Sequence, residues 1–186
     1  MPTLSLDRRA FVAATLSLAL ANGALSAEDA SNTLILTTKY GKVVIRLRPD
    51  LAPKTVAQIK TLAARKFYDG IVFHRVITGF MAQTGDPTGT GTGGSDLPDL
   101  PAEFSDAHFG RGAVGMARSS DPNSANSQFF ICTGDAGFLD KQYTVFGQVV
   151  SGMDVVDKIK AGSEAQNGMV DNPDKIIALR LGTEAK

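Results

Sequence analysis

Hydrophobic and polar positions along the chain change period several times, and each change marks a different element. Over residues 33–38 and 42–48 they alternate, with Val43, Ile45 and Leu47 set against Val44, Arg46 and Arg48, on either side of Lys39-Tyr40-Gly41. Alternation flanking a glycine-containing turn predicts a β-hairpin. The period then lengthens: after Asp50-Leu51-Ala52-Pro53, Val56, Ile59 and Ala63 recur at helical spacing. Pro suits a first helical turn, so a helix is expected from Pro53 to about Lys66, before Tyr68-Asp69-Gly70. Short apolar segments follow at 72–77, 80–83, 113–117, 129–133 and 145–150, with Gly or Pro in nearly every gap. If 72–77 is a strand, Phe73, Arg75 and Ile77 share one face and His74 and Val76 the other. A second short helix is expected over 155–159 with Asp154 near its start, and a last strand over 175–181. Many short strands with two helices predict a mainly β sandwich or closed barrel.

The first 27 residues read differently. Arg8-Arg9 precedes a mild apolar run, Val12 to Leu25, broken by Ser17, Asn22 and Gly23; small residues Leu25-Ser26-Ala27 then meet Glu28-Asp29. A charged start, a short apolar middle and a small-residue exit predict a secretory signal peptide cut after Ala27. The run is too short and too interrupted to favour a spanning helix. Asp7-Arg8-Arg9-Ala10-Phe11-Val12 is similar to a twin-arginine export motif, with Asp where Ser or Thr usually stands; Sec and twin-arginine routes both remain open. The expected organisation is a signal peptide (1–27), a short linker (28–32), one folded domain (33–182) and a tail (183–186). The product is expected to be periplasmic or otherwise exported, with no membrane attachment after cleavage.

Composition narrows the function. Lys and Arg number 19 against 19 Asp and Glu, which argues against a general nucleic-acid binder. Removing 1–27 takes away Asp7, Arg8 and Arg9 and moves the net charge from zero to −1. At 43% apolar and 20% charged residues the chain is that of a folded globular protein. One Cys and two His make neither an internal disulfide nor the usual zinc sites. Cys132, inside Phe129-Phe130-Ile131-Cys132, is expected to be a buried, inert thiol. No cofactor or metal is expected.

Gly89-Thr90-Gly91-Thr92-Gly93-Gly94 formally fits a dinucleotide fingerprint. Two prolines, Pro98 and Pro101, follow where a helix would have to start, and no Lys-Ser/Thr completes a P-loop, so a flexible surface loop is the reading. Two other segments carry more chemistry. In Phe73-His74-Arg75-Val76-Ile77-Thr78-Gly79-Phe80-Met81-Ala82-Gln83-Thr84-Gly85-Asp86 an arginine sits among large apolar residues, either snorkelling at a rim or serving as a donor in an apolar pocket. In Gly115-Met116-Ala117-Arg118-Ser119-Ser120, continuing through a Pro-Asn-Ser turn to Ser127-Gln128-Phe129-Phe130-Ile131, a side-chain amide again sits beside aromatic residues.

Together these segments resemble the cyclophilin family of peptidyl-prolyl cis–trans isomerases. Phe73 to Ile77, Gly79-Phe80-Met81, Gln83, Gly85-Asp86, Gly91 to Gly94, Gly115-Met116-Ala117, Ser127 to Ile131, Phe138-Leu139-Asp140 and Val145-Phe146-Gly147 stand in family order. The resemblance implies a closed eight-stranded antiparallel β-barrel capped by two helices, and proline-containing polypeptides as substrates. It implies catalysis by Arg75, Phe80, Gln83 and Phe130. Substrate contacts are implied at His74, Met81, Ala117, Arg118, Ser119, Gln128, Phe138, Leu139 and Tyr143. The implied protein is a monomer that assists folding of exported proteins; the alternative is a proline-segment binding chaperone module with incidental catalysis. A Ser–His–Asp hydrolase lacks its G-x-S-x-G elbow here.

Departures from the family pattern are specific. Phe138 replaces a frequent Trp, from which weak cyclosporin binding is expected. Tyr143 replaces a frequent His and Arg118 a frequent Asn, and the loop 119–126 is one residue longer than in the common eukaryotic form. His74 is expected to serve packing or local hydrogen bonding, and His108 to be a loop residue.

Overall fold

The computed structural model describes residues 27–184. Apart from Ala27, the segment expected to be a signal peptide lies outside those residues, as do residues 185 and 186. The expected linker is largely helical: α1 (Ala27–Ser31) is followed by Thr33, whose hydroxyl donates to the Asp29 carbonyl at 2.7 Å.

The hairpin forms where the alternation places it. Strands β1 (Thr33–Thr38) and β2 (Gly41–Leu47) pair antiparallel, with Leu34 opposite Ile45 and Leu36 opposite Val43, all four buried. Gly41 turns the chain at a φ of 136°. Helix α2 (Pro53–Ala64) buries Thr55, Val56, Ile59, Leu62 and Ala63. Its capping position is Ala52, which has no side-chain oxygen. The Glu103 carboxylate acts instead from a distant loop, accepting the N–H groups of Lys54 at 3.0 Å and Thr55 at 2.8 Å.

Six more strands complete one sheet: β3 (Arg75–Ile77), β4 (Met81–Thr84), β5 (Ala113–Met116), β6 (Phe129–Cys132), β7 (Val145–Ser151) and β8 (Ala178–Leu181). Every neighbouring pair is antiparallel, in the order β3-β4-β6-β5-β7-β2-β1-β8. The end strands β3 and β8 do not pair, so the expected closed barrel is corrected to an open ladder whose edges are stitched by irregular chain. Gly70 N–H donates to Ile176 O at 2.8 Å, Ile176 N–H to Ile71 O at 2.8 Å and Phe73 N–H to Asp174 O at 2.9 Å.

Those seam bonds also correct the expected strand 72–77. Its first half pairs across the seam rather than with β4, so regular structure begins only at Arg75. Phe73 therefore enters the main core with Val76 and does not share a face with Arg75 and Ile77. The second expected helix begins earlier and is shorter, as α3 (Met153–Val156). Beyond it the Lys158 and Ile159 N–H groups bond three residues back, tightening the chain into turns.

Two apolar clusters flank β4, β6 and β5. The larger takes Ala82, Val114, Met116, Phe129 and Ile131 against α2; the smaller takes Met81, Ala113, Phe130 and Cys132 with Phe109, Leu139 and Val145. Covering on both faces explains why β5 and β6 read as unbroken apolar runs. The strand alternation decides which residues reach the second face, and the site lies there.

Candidate active site

Sheet register places the principal residues in one row. Arg75 opposes Gln83, Gln83 opposes Phe130, and Phe130 opposes Gly115. Directly opposed residues project to the same face, so a guanidinium, an amide and an aromatic ring stand side by side. Arg75 and Gln83 are partly exposed, whereas Phe130 is 5% exposed and Met81, one row on, is 1% exposed.

The row borders a cleft of about 380 Å³ whose lining adds His74, Phe80, Ala117, Arg118, Leu139 and Tyr143. An adjoining cavity of about 550 Å³ shares Gln83, Ala117 and Arg118 and is lined by Ser119 and Gln128. Met81 lies in the apolar cluster beneath. Phe138 is 65% exposed and sits at the rim with its ring 5.2 Å from Phe80. Sequence reasoning did not find Thr90, Gly91, Gln166, Asn167 and Met169, which also line the smaller cleft. The dipeptide Asn167-Gly168 was the available signal, since Asn before Gly favours a turn with left-handed backbone. Asn167 has that conformation, at a φ of 53°.

Arg75 is held on two sides. Its Nε donates to the Asn167 carbonyl at 2.9 Å, Nη2 to Asn167 Oδ1 at 3.0 Å and Nη1 to Gln83 Oε1 at 3.3 Å. A guanidinium has five N–H groups, so two are left without an acceptor among the described residues. Burial pushes the Arg75 pKa down, opposed by Tyr143; an arginine so placed still carries its charge.

The amide of Gln83 passes the order onward. Its Nε2 donates to Gln128 Oε1 at 3.0 Å, and Gln128 Nε2 donates to the carbonyls of Gly91 at 3.0 Å and Gly93 at 2.8 Å. The glycine loop expected to be flexible is tied down from its other side by Asp86. That carboxylate, 1% exposed, accepts the N–H groups of Thr88 at 2.7 Å, Gly91 at 2.6 Å and Gly93 at 3.1 Å. Burial pulls the Asp86 pKa upward, but these bonds and the Thr88 hydroxyl outweigh it and hold the carboxyl at about 2. The Gly-rich segment is thus a wall of the site, built by an internal carboxylate.

Other side chains set the walls. The Arg118 guanidinium lies 4.4 Å from the Tyr143 ring centroid and donates to the carbonyls of Ser119 at 2.9 Å and Gln142 at 3.1 Å. Its side chain therefore braces the rim. His74 is buried, neither ring nitrogen has a partner among the described residues, and burial pushes its pKa down. A neutral His74 packs the wall. Cys132 is buried, and burial followed by the Asp135 and Asp140 charges pushes its thiol up to about 12. Such a thiol is inert as a nucleophile. Among the described residues no group of three His, Cys, Asp or Glu is arranged to hold a metal ion.

His108 ties the rim loop to the body. Its Nδ1 lies 2.7 Å from Asp140 Oδ2 and its Nε2 lies 3.0 Å from Asp135 Oδ2, bracketing the turn that carries Phe138 and Leu139. Hydrogen bonds to Asp140 and then Asp135 raise its pKa above 6.5. A raised folded-state value means that the contribution is complete below the unfolded pKa and is lost as pH climbs through the folded one. The thermal midpoint is expected to fall as pH rises from about 6.5 through the raised folded-state value, and His108→Asn to flatten that fall. The effect is small, because the group is at the surface; an unchanged slope in the variant would remove His108 as its source.

The family described as "Cyclophilin type peptidyl-prolyl cis-trans isomerase/CLD" matches residues 33–181. A Brucella suis protein named "Probable peptidyl-prolyl cis-trans isomerase" is 58% identical over 192 residues, spanning 96% of this chain and 98% of that protein. "Peptidyl-prolyl cis-trans isomerase-like 1" of Aspergillus fumigatus is 41% identical over 140 residues, 70% of this chain and 85% of that protein. Among solved structures, a cyclophilin from Hirschia baltica superposes with a TM-score of 0.75 at 28% identity, covering 85% of this chain and 76% of that one. A Cryptosporidium parvum cyclophilin type peptidyl-prolyl cis-trans isomerase, crystallised in the presence of the dipeptide Ala-Pro, gives 0.73 at 27% identity, covering 80% and 98%.

Proposed function

This chain belongs to the cyclophilin-type peptidyl-prolyl cis-trans isomerases and accelerates rotation about X-Pro bonds; from that premise we propose how its residues divide the work and where it acts. Amide resonance sets a barrier of about 18–20 kcal/mol to that rotation. No bond is made or broken, so the catalyst has only to favour the twisted amide over the planar one. Arg75 donates to the prolyl nitrogen as its lone pair localises, using an N–H that has no acceptor among the described residues. Phe80, Phe130 and Leu139, backed by Met81, hold the proline ring. The backbone near Ala117 and Arg118 together with Gln83 holds the flanking carbonyl groups, Gln128 keeps Gln83 in place, and Phe138 and Tyr143 close the rim. Lowering the barrier by about 5 kcal/mol gives nearly four decades in rate. Fixed donors beside an aromatic floor supply stabilisation of that order.

The observation that carries this reading is the Arg75 guanidinium, held by Asn167 and Gln83, with N–H groups unpaired among the described residues, in the cleft that Phe130 also lines. The enzyme works as a monomer on unfolded or flexible proline-containing segments of exported proteins, in the periplasm or an equivalent compartment; the N-terminal pattern supports this placement. Expressed as the full precursor in a Gram-negative host, the chain is expected in the periplasmic fraction, with a new N-terminus near Glu28 and isomerase activity on a short Ala-Pro peptide. Retention of the intact precursor in the cytoplasm would sink the export reading. Loss of export on Arg8→Lys/Arg9→Lys would assign the twin-arginine route, and persistence would assign Sec.

A further inference from the structure

We propose that Asn167 is a positioning residue for catalysis, acting through Arg75; the inference deepens the reading in which Arg75 is the donor to the prolyl nitrogen and rests on it. Two of the three protein acceptors around the guanidinium belong to this one residue. Its main-chain oxygen takes the Nε proton at 2.9 Å and its side-chain oxygen an Nη2 proton at 3.0 Å. A planar guanidinium fixed at Nε and Nη2 has no freedom to swing. Gln83, at 3.3 Å from Nη1, is the longer contact and adds a third point. The remaining N–H groups are thereby aimed before any peptide arrives.

The geometry depends on two features that Asn167 combines. Both Asn167 oxygens face Arg75 because its backbone is left-handed, with φ 53° and ψ 38°, a conformation that Asn tolerates better than most residues. The loop that presents it is anchored to the strand carrying Arg75. Gly162 N–H donates to Val76 O at 2.9 Å, Val76 N–H to Gly168 O at 2.8 Å and Gly168 N–H to Ser163 O at 2.8 Å. Asn167 N–H itself donates to Glu164 O at 3.1 Å. Holder and held are therefore fixed to one another through the neighbouring residues on each side, and the registration does not depend on the guanidinium bonds themselves. Asn167 holds Arg75 on the side opposite the Gln83–Gln128 relay, so the donor is gripped between two independent parts of the fold.

The test is a substitution series read by kcat and KM on a short Ala-Pro peptide. Asn167→Gly accepts the left-handed backbone and keeps the main-chain oxygen. It removes only the side-chain acceptor, and is expected to lower kcat about tenfold with KM within about twofold. Asn167→Asp restores an oxygen at the same place, tolerates the same backbone, and should recover most of the loss. In an Arg75→Ala background, Asn167→Gly should cost nothing further, because residues acting as a unit are not additive. Wild-type kcat in Asn167→Gly overturns the inference, as does an equal fractional loss in the Arg75→Ala background, which would make the effect one of general structure. If Arg75→Ala were itself fully active, the donor reading would fail first. A slow Arg75→Ala beside a fully active Asn167→Gly removes Asn167 alone.

Discussion

Arg75→Ala is expected to lower kcat/KM on a short Ala-Pro peptide by about 10²–10³-fold while lowering stability by about 1 kcal/mol or less. The two effects separate because of where the guanidinium's bonds go. Asn167 and Gln83 hold it, but neither depends on it for its own place: the 162–168 segment is bonded to Val76, and Gln83 remains bonded to Gln128. Their freed oxygens lie in an open cleft where water replaces the lost donors. The reaction has no such substitute. In the uncatalysed case water has to reorganise to donate to the nitrogen as it twists, and the advantage of Arg75 is a donor oriented in advance beside an apolar floor. Arg75→Lys should recover little of the rate, since one ammonium on a flexible stem cannot span Asn167 and Gln83 while donating to a ligand. An alanine variant turning over at the wild-type rate would leave the cleft without its donor and the mechanism without support.

The elements were legible in the sequence where period alone decides them. Alternation about Gly41 and the Val56-Ile59-Ala63 spacing located the hairpin and α2 to within a residue or two. The unbroken apolar runs of β5 and β6 announced strands but hid their faces, because both faces are buried. Which side Phe129 or Phe130 takes depends on the pairing partner. Register was equally hidden, and register is what lines up Arg75, Gln83, Phe130 and Gly115. Family resemblance named most of the residues that line the cleft, yet not the parts made by distant chain: the Glu103 cap, the seam between 70–73 and 174–176, and Asn167. The Gly89–Gly94 loop shows the same limit from another side. Its composition signals freedom, while the carboxylate of Asp86, three residues before it, gathers its N–H groups into a fixed wall.

Gly115→Ala should damage both the core and the cleft, raising KM about tenfold and lowering stability by about 1–3 kcal/mol. Gly115 stands in the row with Arg75, Gln83 and Phe130, and it is the place where two aromatic rings meet the backbone. A Cβ there would come to 2.5 Å from Phe109 Cε1 and 2.7 Å from Phe130 Cζ, so at least one ring has to move. Phe109 has nowhere to go. It is fully buried, its N–H donates to Asp140 Oδ1 at 2.8 Å, and its carbonyl accepts from Ala136 N–H at 2.8 Å. Phe130 stacks on it at 5.7 Å and has the cleft on its other side, so the added methyl drives Phe130 upward into the space meant for the proline ring. Arg75 is left in place, which is why KM should move more than kcat. Peptide kinetics and urea midpoints read the two effects separately. Shrinking the lower ring tests the direction of the push: Gly115→Ala/Phe109→Leu should regain most of the lost affinity, because the rings then share the strain below the floor. A double variant with KM as poor as the single one would mean that Phe130 is not the ring displaced.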